Sequence, residues 1–396
     1  MITGVCCCLW CIDTRSGSSG GRHVAGRRDA GDLPYDDLPY REGITMTEPS
    51  AAATDELWKL VYTSFRFPFL HAAQRLELFT LLKERPGSTI DEISGSLGLE
   101  KRAGHVLLLG CTAFELVRKD GEGYHNTPAT DLLAGDPGAF MPVIIRYTHE
   151  MLYRPMGWLY ESLVNNENLG LHRELLAGSS ATTLYELLAE DENLEKVFTA
   201  MMEHQSRSVV EDFVNAVDFS SYRRVLDVGG GTGTNAISFA QRWPDLQATI
   251  LELPNVAKMA NDRIAEVGLS ERVRAIGTDI MQDEFPTSSH DCVVYSRFLE
   301  IWSPEQVRNL FEKTYRALEP GGHLVIVACA QDDDETGPAH AAFMSAYVHT
   351  IASPEGRVYT PREFEQWYTE AGFEPLDRQY PGRFDVILRA RKPKAD

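Results

Sequence analysis

The sequence predicts an α/β protein whose C-terminal part is a doubly wound, mostly parallel β-sheet, preceded by a helical domain. From residue 223 onward, short apolar runs alternate with helical patterning, as expected for parallel strands joined by right-handed helical crossovers. The first apolar run also ends in clustered glycines. The chain has 396 residues, 43% of them hydrophobic, which suffices for about two domains. The predicted strands are residues 225–228, 248–251, 273–276, 292–295 and 324–327.

The glycine cluster lies in Val-Leu-Asp-Val-Gly-Gly-Gly-Thr-Gly, residues 225–233. Gly229, Gly231 and Gly233 permit a tight turn and a close approach of a ligand to the backbone. The next helix is expected to begin near Asn235. Dinucleotide-binding loops have a similar glycine spacing, so the glycines alone leave open which nucleoside-bearing cofactor binds.

Two carboxylates favour a nucleoside site without a phosphate. Asp227 lies inside the motif just before the glycines, and Glu252 ends the second strand, where a carboxylate can accept hydrogen bonds from both ribose hydroxyls. Ligands of doubly wound sheets bind outside the carboxyl ends of the strands, where Gly229, Glu252, Asp279 and Ser296 fall. We therefore expect these side chains to surround one binding site.

Residues 227–233, the acidic strand end at Glu252, and Asp279-Ile280 ahead of residues 283–286 resemble the class I S-adenosylmethionine-dependent methyltransferases. More closely, they resemble the two-domain small-molecule O-methyltransferases of the plant caffeate type and the bacterial antibiotic-tailoring type. The resemblance runs from Leu57 to the C-terminus. It implies a Rossmann-like cofactor domain, S-adenosyl-L-methionine as cofactor, a small-molecule methyl acceptor and a homodimer. The cofactor-binding residues it implies are Asp227, Gly229, Gly231, Glu252, Asp279, Ile280 and Ser296.

The N-terminal domain reads as a winged helix. Residues 56–81 have helical patterning with a break expected at Pro68, and two further helices at 88–99 and 103–116 precede a hairpin at 117–127. A winged helix can bind DNA or have a purely structural role. The net charge of −20 favours the structural role, because nucleic-acid binding depends on neutralising phosphates. In the resembled family this module is the dimerisation domain.

The chain start is unusual. Cys6, Cys7, Cys8 and Cys11 crowd it, and residues 1–50 are predicted to be a disordered extension, with Met46 as a better native start. The predicted domains are then 51–135 for dimerisation, 136–215 for helices lining a substrate pocket, and 216–396 for cofactor binding. No apolar stretch approaches the roughly 18 residues of a membrane span, so we expect a cytoplasmic enzyme without membrane or nucleic-acid partners.

An aromatic and methionine-rich stretch precedes the cofactor domain. Tyr147, Met151 and Trp158 lie in residues 140–163, which match the helices that wall the substrate pocket in the resembled family. Met202 matches that family's methionine beside the reacting centre. For all four, packing in the core is the alternative.

The catalytic position departs from the resembled pattern. The family usually has a histidine and then an acid before the tryptophan that is Trp302 here, whereas this chain has Glu300 and Ile301. Val358 stands where the supporting glutamate aligns. Methyl transfer needs the nucleophile held near the methyl carbon and its proton removed. A carboxylate can remove that proton when burial raises its pKa or when the acceptor is acidic.

Three roles for Glu300 stay open: a general base, a metal ligand together with His349, or a pocket wall. His349 can equally be a hydrogen-bonded structural histidine. The leading function is O-methylation of a small aromatic or enolisable metabolite in secondary metabolism. The alternatives are C-methylation of a phenol or 2-oxo acid, a family member that binds the cofactor without transferring methyl, and a winged-helix transcription factor.

Overall fold

The computed structural model describes residues 50–181, 184–382 and 384–394. These residues form two compact units, 50–149 and 150–394. The cysteines at positions 6–11, Met46 and the rest of the predicted extension up to residue 49 lie outside the described residues. Within the described ranges, no helix is long and apolar enough to cross a membrane.

The first unit is mainly helical, and the predicted hairpin follows its first four helices. A buried cluster that includes Leu78, Ile93, Leu108 and Val117 forms its core. The hairpin turns between Asp120 and Gly123, as the sequence predicts, while the winged-helix designation stays a prediction. Its elements are α1 (Ala51–Arg75), α2 (Leu78–Glu84), α3 (Ile90–Ser96), α4 (Lys101–Ala113), β1 (Val117–Asp120), β2 (Gly123–Asn126), a 3-10 helix (Thr130–Leu133) and α5 (Phe140–Tyr147).

The expected break at Pro68 is wrong. Helix α1 continues through Pro68 to Arg75. The helical path is interrupted at Glu77, which has a left-handed φ of +60°. A proline inside a helix removes only one backbone hydrogen bond, to the carbonyl four residues earlier. That carbonyl belongs to Ser64, on an exposed part of α1.

The second unit contains short helical segments followed by the large sheet. Its helices are a π-helix (Thr148–Tyr153) that begins at the boundary, a 3-10 helix (Pro155–Trp158), α6 (Leu159–Asn165), a π-helix (Leu171–Leu175), α7 (Leu184–Glu190), α8 (Glu192–Ala216), α9 (Thr234–Arg242), α10 (Pro254–Glu266), a 3-10 helix (Leu299–Ile301), α11 (Pro304–Ala317), α12 (Ala339–Tyr347), a π-helix (Val348–Ala352) and α13 (Pro361–Glu370). Its strands are β3 (Arg224–Val228), β4 (Gln247–Glu252), β5 (Val273–Gly277), β6 (His290–Ser296), β7 (Leu318–Cys329), β8 (Glu374–Gln379) and β9 (Asp385–Arg391).

The sheet has the order β5-β4-β3-β6-β7-β9-β8. Strands β3 to β7 pair in parallel, and β9 and β8 add an antiparallel edge. The prediction of a doubly wound, mostly parallel sheet is confirmed, and all five predicted strands are present. The strand order reverses between β3 and β6, and such a switch point opens a crevice at the carboxyl ends of the strands. The glycine turn after β3 lies at this crevice.

Candidate cofactor and acceptor site

The glycine turn has the backbone that the sequence predicts. Gly229, Gly231 and Gly233 have φ values of +69°, +56° and +85°, in the left-handed region that favours glycine. The Gly229 N–H donates to the Leu251 carbonyl at 2.9 Å, which ties the turn to β4. A Cβ atom on Gly229 would overlap the ring of Phe298. The turn therefore has no room for side chains on this face.

Asp227 is a fully buried carboxylate under this turn. An added Cβ on Gly230 would lie 2.5 Å from its Oδ2 atom, so the carboxylate lies directly against the turn. Among the described residues, neither of its oxygens has a hydrogen-bond partner. Burial raises the pKa of Asp227 to about 7, and the nearby Ala236 N–H offsets part of that rise. A buried acceptor of this kind fits a cofactor that carries positive charge, as S-adenosyl-L-methionine does.

The Asp227 carboxyl should make stability depend on pH. Its folded-state pKa lies above the ordinary value of an aspartate, so the folded state holds the proton more tightly and stability falls as the pH rises from about 4 to about 7. Between pH 5 and 8 this group should remove roughly 3 kcal/mol from the free energy of unfolding, at 1.36 kcal/mol per pKa unit. Urea unfolding of the wild type and Asp227→Asn, each at both pH values, measures it. The variant should lack this part of the loss, and equal losses in both proteins would contradict the assignment.

Glu252 connects the turn to the helix after β4. Its carboxylate is fully buried, with Oε1 accepting from the Gly231 N–H at 3.2 Å and Oε2 from the Leu253 N–H at 2.8 Å. These two bonds fix the carboxylate between the glycine turn and the first residues of α10. A third partner, such as a ribose hydroxyl, would meet an oriented acceptor.

The loop after β5 carries the other two predicted nucleoside residues. Asp279 is exposed, and its Oδ1 accepts from the N–H groups of Met281 and Gln282 at 3.0 and 3.2 Å. Ile280 is buried in the core cluster beneath the sheet edge. Their contacts with adenine remain a prediction.

The end of β6 adjoins the glycine turn. Tyr295 pairs with Val228, and Ser296 is the buried last residue of the strand. Phe298, which sequence reasoning missed, stacks on Tyr295 with ring centroids 6.1 Å apart and packs over Gly229. Its place just after an apolar strand was the available signal. The Phe298 ring thus packs against both the glycine turn and Tyr295.

Glu300 lies at the carboxyl ends of β6 and β7. It is buried, and its Oε1 accepts from the Cys329 N–H at 2.8 Å. Burial raises the pKa of Glu300, while the positive charge of Arg297 opposes that rise. Arg297 itself forms a buried ion pair with Asp385 at the start of β9, a second arrangement that sequence reasoning missed. Its raised pKa makes this carboxylate a stronger base than an exposed glutamate.

A small cavity lies beside Glu300. It is lined by Arg297, Glu300, Cys329, Met344, Tyr347 and Val358, among others. Tyr347 and Met344 come from α12, so this helix covers the Glu300 segment. Val358 is the residue that replaces the aligned glutamate, and it is buried against the same space. The cavity places Glu300 next to an aromatic and two apolar side chains.

His349 belongs to the π-helix that follows α12. Its Nε2 contacts the Ser162 carbonyl at 3.0 Å, and it is absent from the residues lining the Glu300 cavity. Within the described ranges, no group of three or more His, Cys, Asp or Glu side chains is placed to hold a metal. The contact with Ser162 favours the structural interpretation of His349.

The predicted substrate residues are spread over several elements. Met151 and Met202 are buried in the second unit, Trp158 is partly buried there, and Tyr147 is buried in the first unit. The Glu300 cavity is lined by other residues. Residues that only pack in the core are buried as well, so burial does not distinguish the two roles. The contact of these four residues with substrate stays a prediction.

The chain is similar to known methyltransferases in sequence and in fold. The pattern of the O-methyltransferase domain matches residues 168–374. The chain is 35% identical over 366 residues to an L-tyrosine C(3)-methyltransferase of Streptomyces lavendulae, covering 91% of this chain and 94% of that protein. It is 31% identical to a 3-hydroxy-5-methyl-1-naphthoate 3-O-methyltransferase of Streptomyces sahachiroi, covering 71% and 78%. The apo crystal structure of the S-adenosylmethionine-dependent methyltransferase SibL superposes with a TM-score of 0.74 at 34% identity, covering 86% of this chain and 99% of SibL.

Proposed function

Because the chain belongs to the O-methyltransferase-domain family of S-adenosyl-L-methionine-dependent methyltransferases, we propose that it methylates a small phenol at the ring carbon next to the hydroxyl. The family, the enzyme class and the cofactor are those that the sequence predicts. The observation that carries the proposal is the buried Glu300 carboxylate at the carboxyl end of β6.

Glu300 acts as the general base in this proposal. A phenol has an ordinary pKa of about 10, so an exposed carboxylate is too weak to ionise it. Burial raises the pKa of Glu300 and so strengthens it as a base, while the Arg297 charge opposes that rise. Taking the hydroxyl proton puts negative charge on the oxygen and on the neighbouring ring carbons.

The remaining steps balance without another reactant. Bound S-adenosyl-L-methionine supplies an electrophilic methyl group on its sulfonium. The ring carbon next to the ionised oxygen would take this methyl group as its bond to sulfur breaks, leaving S-adenosyl-L-homocysteine, and would then lose its own proton to solvent. Glu300 returns the hydroxyl proton, so one proton is released in each turnover. The Cys329 N–H holds the carboxylate in place throughout.

The choice of ring carbon rests on the relatives. The Streptomyces lavendulae protein, named for methylation at C(3) of L-tyrosine, is similar over more of the chain than the naphthoate 3-O-methyltransferase. Transfer to the phenol oxygen is the second candidate, supported by that naphthoate relative and by the family name. Both candidates use the same base and the same class of acceptor.

Methyl transfer to a panel of acceptors tests the proposal. The full chain is incubated with methyl-labelled cofactor and L-tyrosine, simple phenols or 2-oxo acids, with and without a chelator, and products are followed by mass spectrometry. We expect labelled phenols and no effect of the chelator. Labelling of 2-oxo acids alone, or loss of activity with chelator, would contradict the proposed acceptor and base.

We also propose a homodimer, in the cytosol, formed through the first unit. Helix α1 exposes a run of large apolar side chains, and α4 adds two more beside a groove of about 650 Å³. Monomers rarely expose so large an apolar patch. A second copy of the chain, with the same surface, is the occupant we assign. The exposed apolar residues are Leu57, Trp58, Leu60, Val61, Tyr62, Phe65, Val106 and Leu109.

Light scattering after size exclusion should give twice the 44.3 kDa chain mass for the wild type. Leu60→Asp should shift it toward the monomer, because a buried unpaired charge destabilises an apolar interface. Leu60 is 70% exposed, so the substitution should leave the fold intact. Leu163→Asp, on an exposed position of α6, is the matched control and should remain dimeric. A monomeric wild type would contradict the homodimer.

A further inference from the structure

We infer that Lys313 is a positioning residue for the nucleoside end of the cofactor site. This inference rests on the proposed role of the loop that carries Asp279 and Ile280. Lys313 lies on α11, outside the glycine turn, and belongs to none of the sequence motifs that predict the site. It is 3% exposed, which is rare for a lysine.

The ammonium group of Lys313 uses its full set of donors on one loop. It donates to the carbonyl oxygens of Ile280, Met281 and Asp283 at 2.9, 2.8 and 2.9 Å. An ammonium has three N–H donors, so each finds an acceptor. Three carbonyls within four residues thus converge on one side chain, which fixes the path of the loop around it.

The loop also closes on itself from the other side. The Asp283 carboxylate accepts from the Thr278 hydroxyl at 2.7 Å and from the Asp279 N–H at 2.9 Å. The Asp279 carboxylate in turn accepts from the N–H groups of Met281 and Gln282. The N–H groups of Gln282 and Asp283 also donate to the Asp279 carbonyl, so this turn is closed by its own hydrogen bonds while three other carbonyls are bound by Lys313. Without Lys313, these three carbonyls would lose this partner, and the loop that orients the Asp279 carboxylate would lose its connection to α11.

The cost of this arrangement indicates a function. Burial lowers the pKa of Lys313, which reflects the penalty of keeping an ammonium out of water. A leucine or methionine would avoid the penalty of burying an ammonium but would leave the three carbonyls without this donor. Helix α11 also begins two residues after Trp302, so a single element connects the Glu300 segment to the nucleoside loop. We infer that the buried Lys313 ammonium maintains the geometry of the loop that carries Asp279 and Ile280.

Lys313→Met should weaken binding of S-adenosyl-L-homocysteine at least tenfold in calorimetry on the full chain. At saturating cofactor, kcat and the KM for the acceptor should change less than twofold. In combination with Asp279→Ala, the loss should be no larger than that of the stronger single variant, because both act through the same loop. Lys313→Gln, which keeps part of the donor set, should weaken binding at least threefold.

Lys392 provides the matched control. Its Nζ donates to the carbonyls of Tyr315 and Leu318 at 2.7 and 2.8 Å, and burial lowers its pKa as well, but these carbonyls lie outside the nucleoside loop. Lys392→Met should leave cofactor affinity within twofold. Unchanged affinity in both Lys313 variants, equal losses in Lys313→Met and Lys392→Met, or additive losses with Asp279→Ala would each overturn the inference. The calorimetric measurements contain no acceptor, so a wrong acceptor assignment leaves the binding part of this test intact.

Discussion

Glu300→Gln should lower kcat at neutral pH by about 100-fold or more, the scale of removing a general base. Its amide oxygen can still accept from the Cys329 N–H, so the shape of the segment is kept. Cofactor affinity should therefore stay close to that of the wild type. Initial rates at saturating cofactor, with calorimetry of cofactor binding, separate the two effects.

The pH profile makes this prediction specific. A base must be ionised to act, and burial raises the pKa of Glu300 above the ordinary value of a glutamate. The wild-type kcat/KM should thus fall as the pH drops through that raised pKa, and the variant should lack this acid limb. Glu305→Gln, on an exposed residue at the start of α11, is the control and should match the wild type. Full activity in Glu300→Gln with an unaltered profile would show that Glu300 is not the base.

Glu252→Ala should weaken cofactor binding by roughly 1.5–3 kcal/mol, the scale of removing a hydrogen-bonding carboxylate from its partners. The carboxylate is buried and already oriented by the Gly231 and Leu253 N–H groups, so its loss removes a prepared acceptor. Calorimetry with S-adenosyl-L-homocysteine measures the change, and the unfolding temperature shows that the variant is folded. Unchanged affinity would refute the ribose role of Glu252.

The parallel part of the sheet could be predicted because its strands are buried on both faces and read as continuous apolar runs. The antiparallel edge could not. Glu374 and Asp377 on β8 lie opposite Arg391 and Arg389 on β9, and the two pairs form ion pairs across the strands. In the sequence these charges look like a solvated loop. Only the pairing of the two strands makes them compatible with a sheet.

Some residues of the candidate site could likewise be predicted from the sequence, and others could not. The glycine turn and Glu252 lie close together in sequence, and local patterns predict them. The buried pair of Arg297 and Asp385 joins residues far apart in the chain, so no local pattern could indicate it. Lys313 likewise reads as one more charge on an amphipathic helix. Its burial depends on where α11 packs, which is a tertiary property.

The fate of the ring hydrogens tests the central claim most directly. L-tyrosine carrying deuterium at both ring positions next to the hydroxyl is incubated with the full chain and S-adenosyl-L-methionine, and the product is analysed by mass spectrometry. Methylation of the ring carbon replaces one deuterium, so the methylated product should keep a single ring deuterium. A methylated product that keeps both would contradict transfer to that carbon and favour the phenol oxygen.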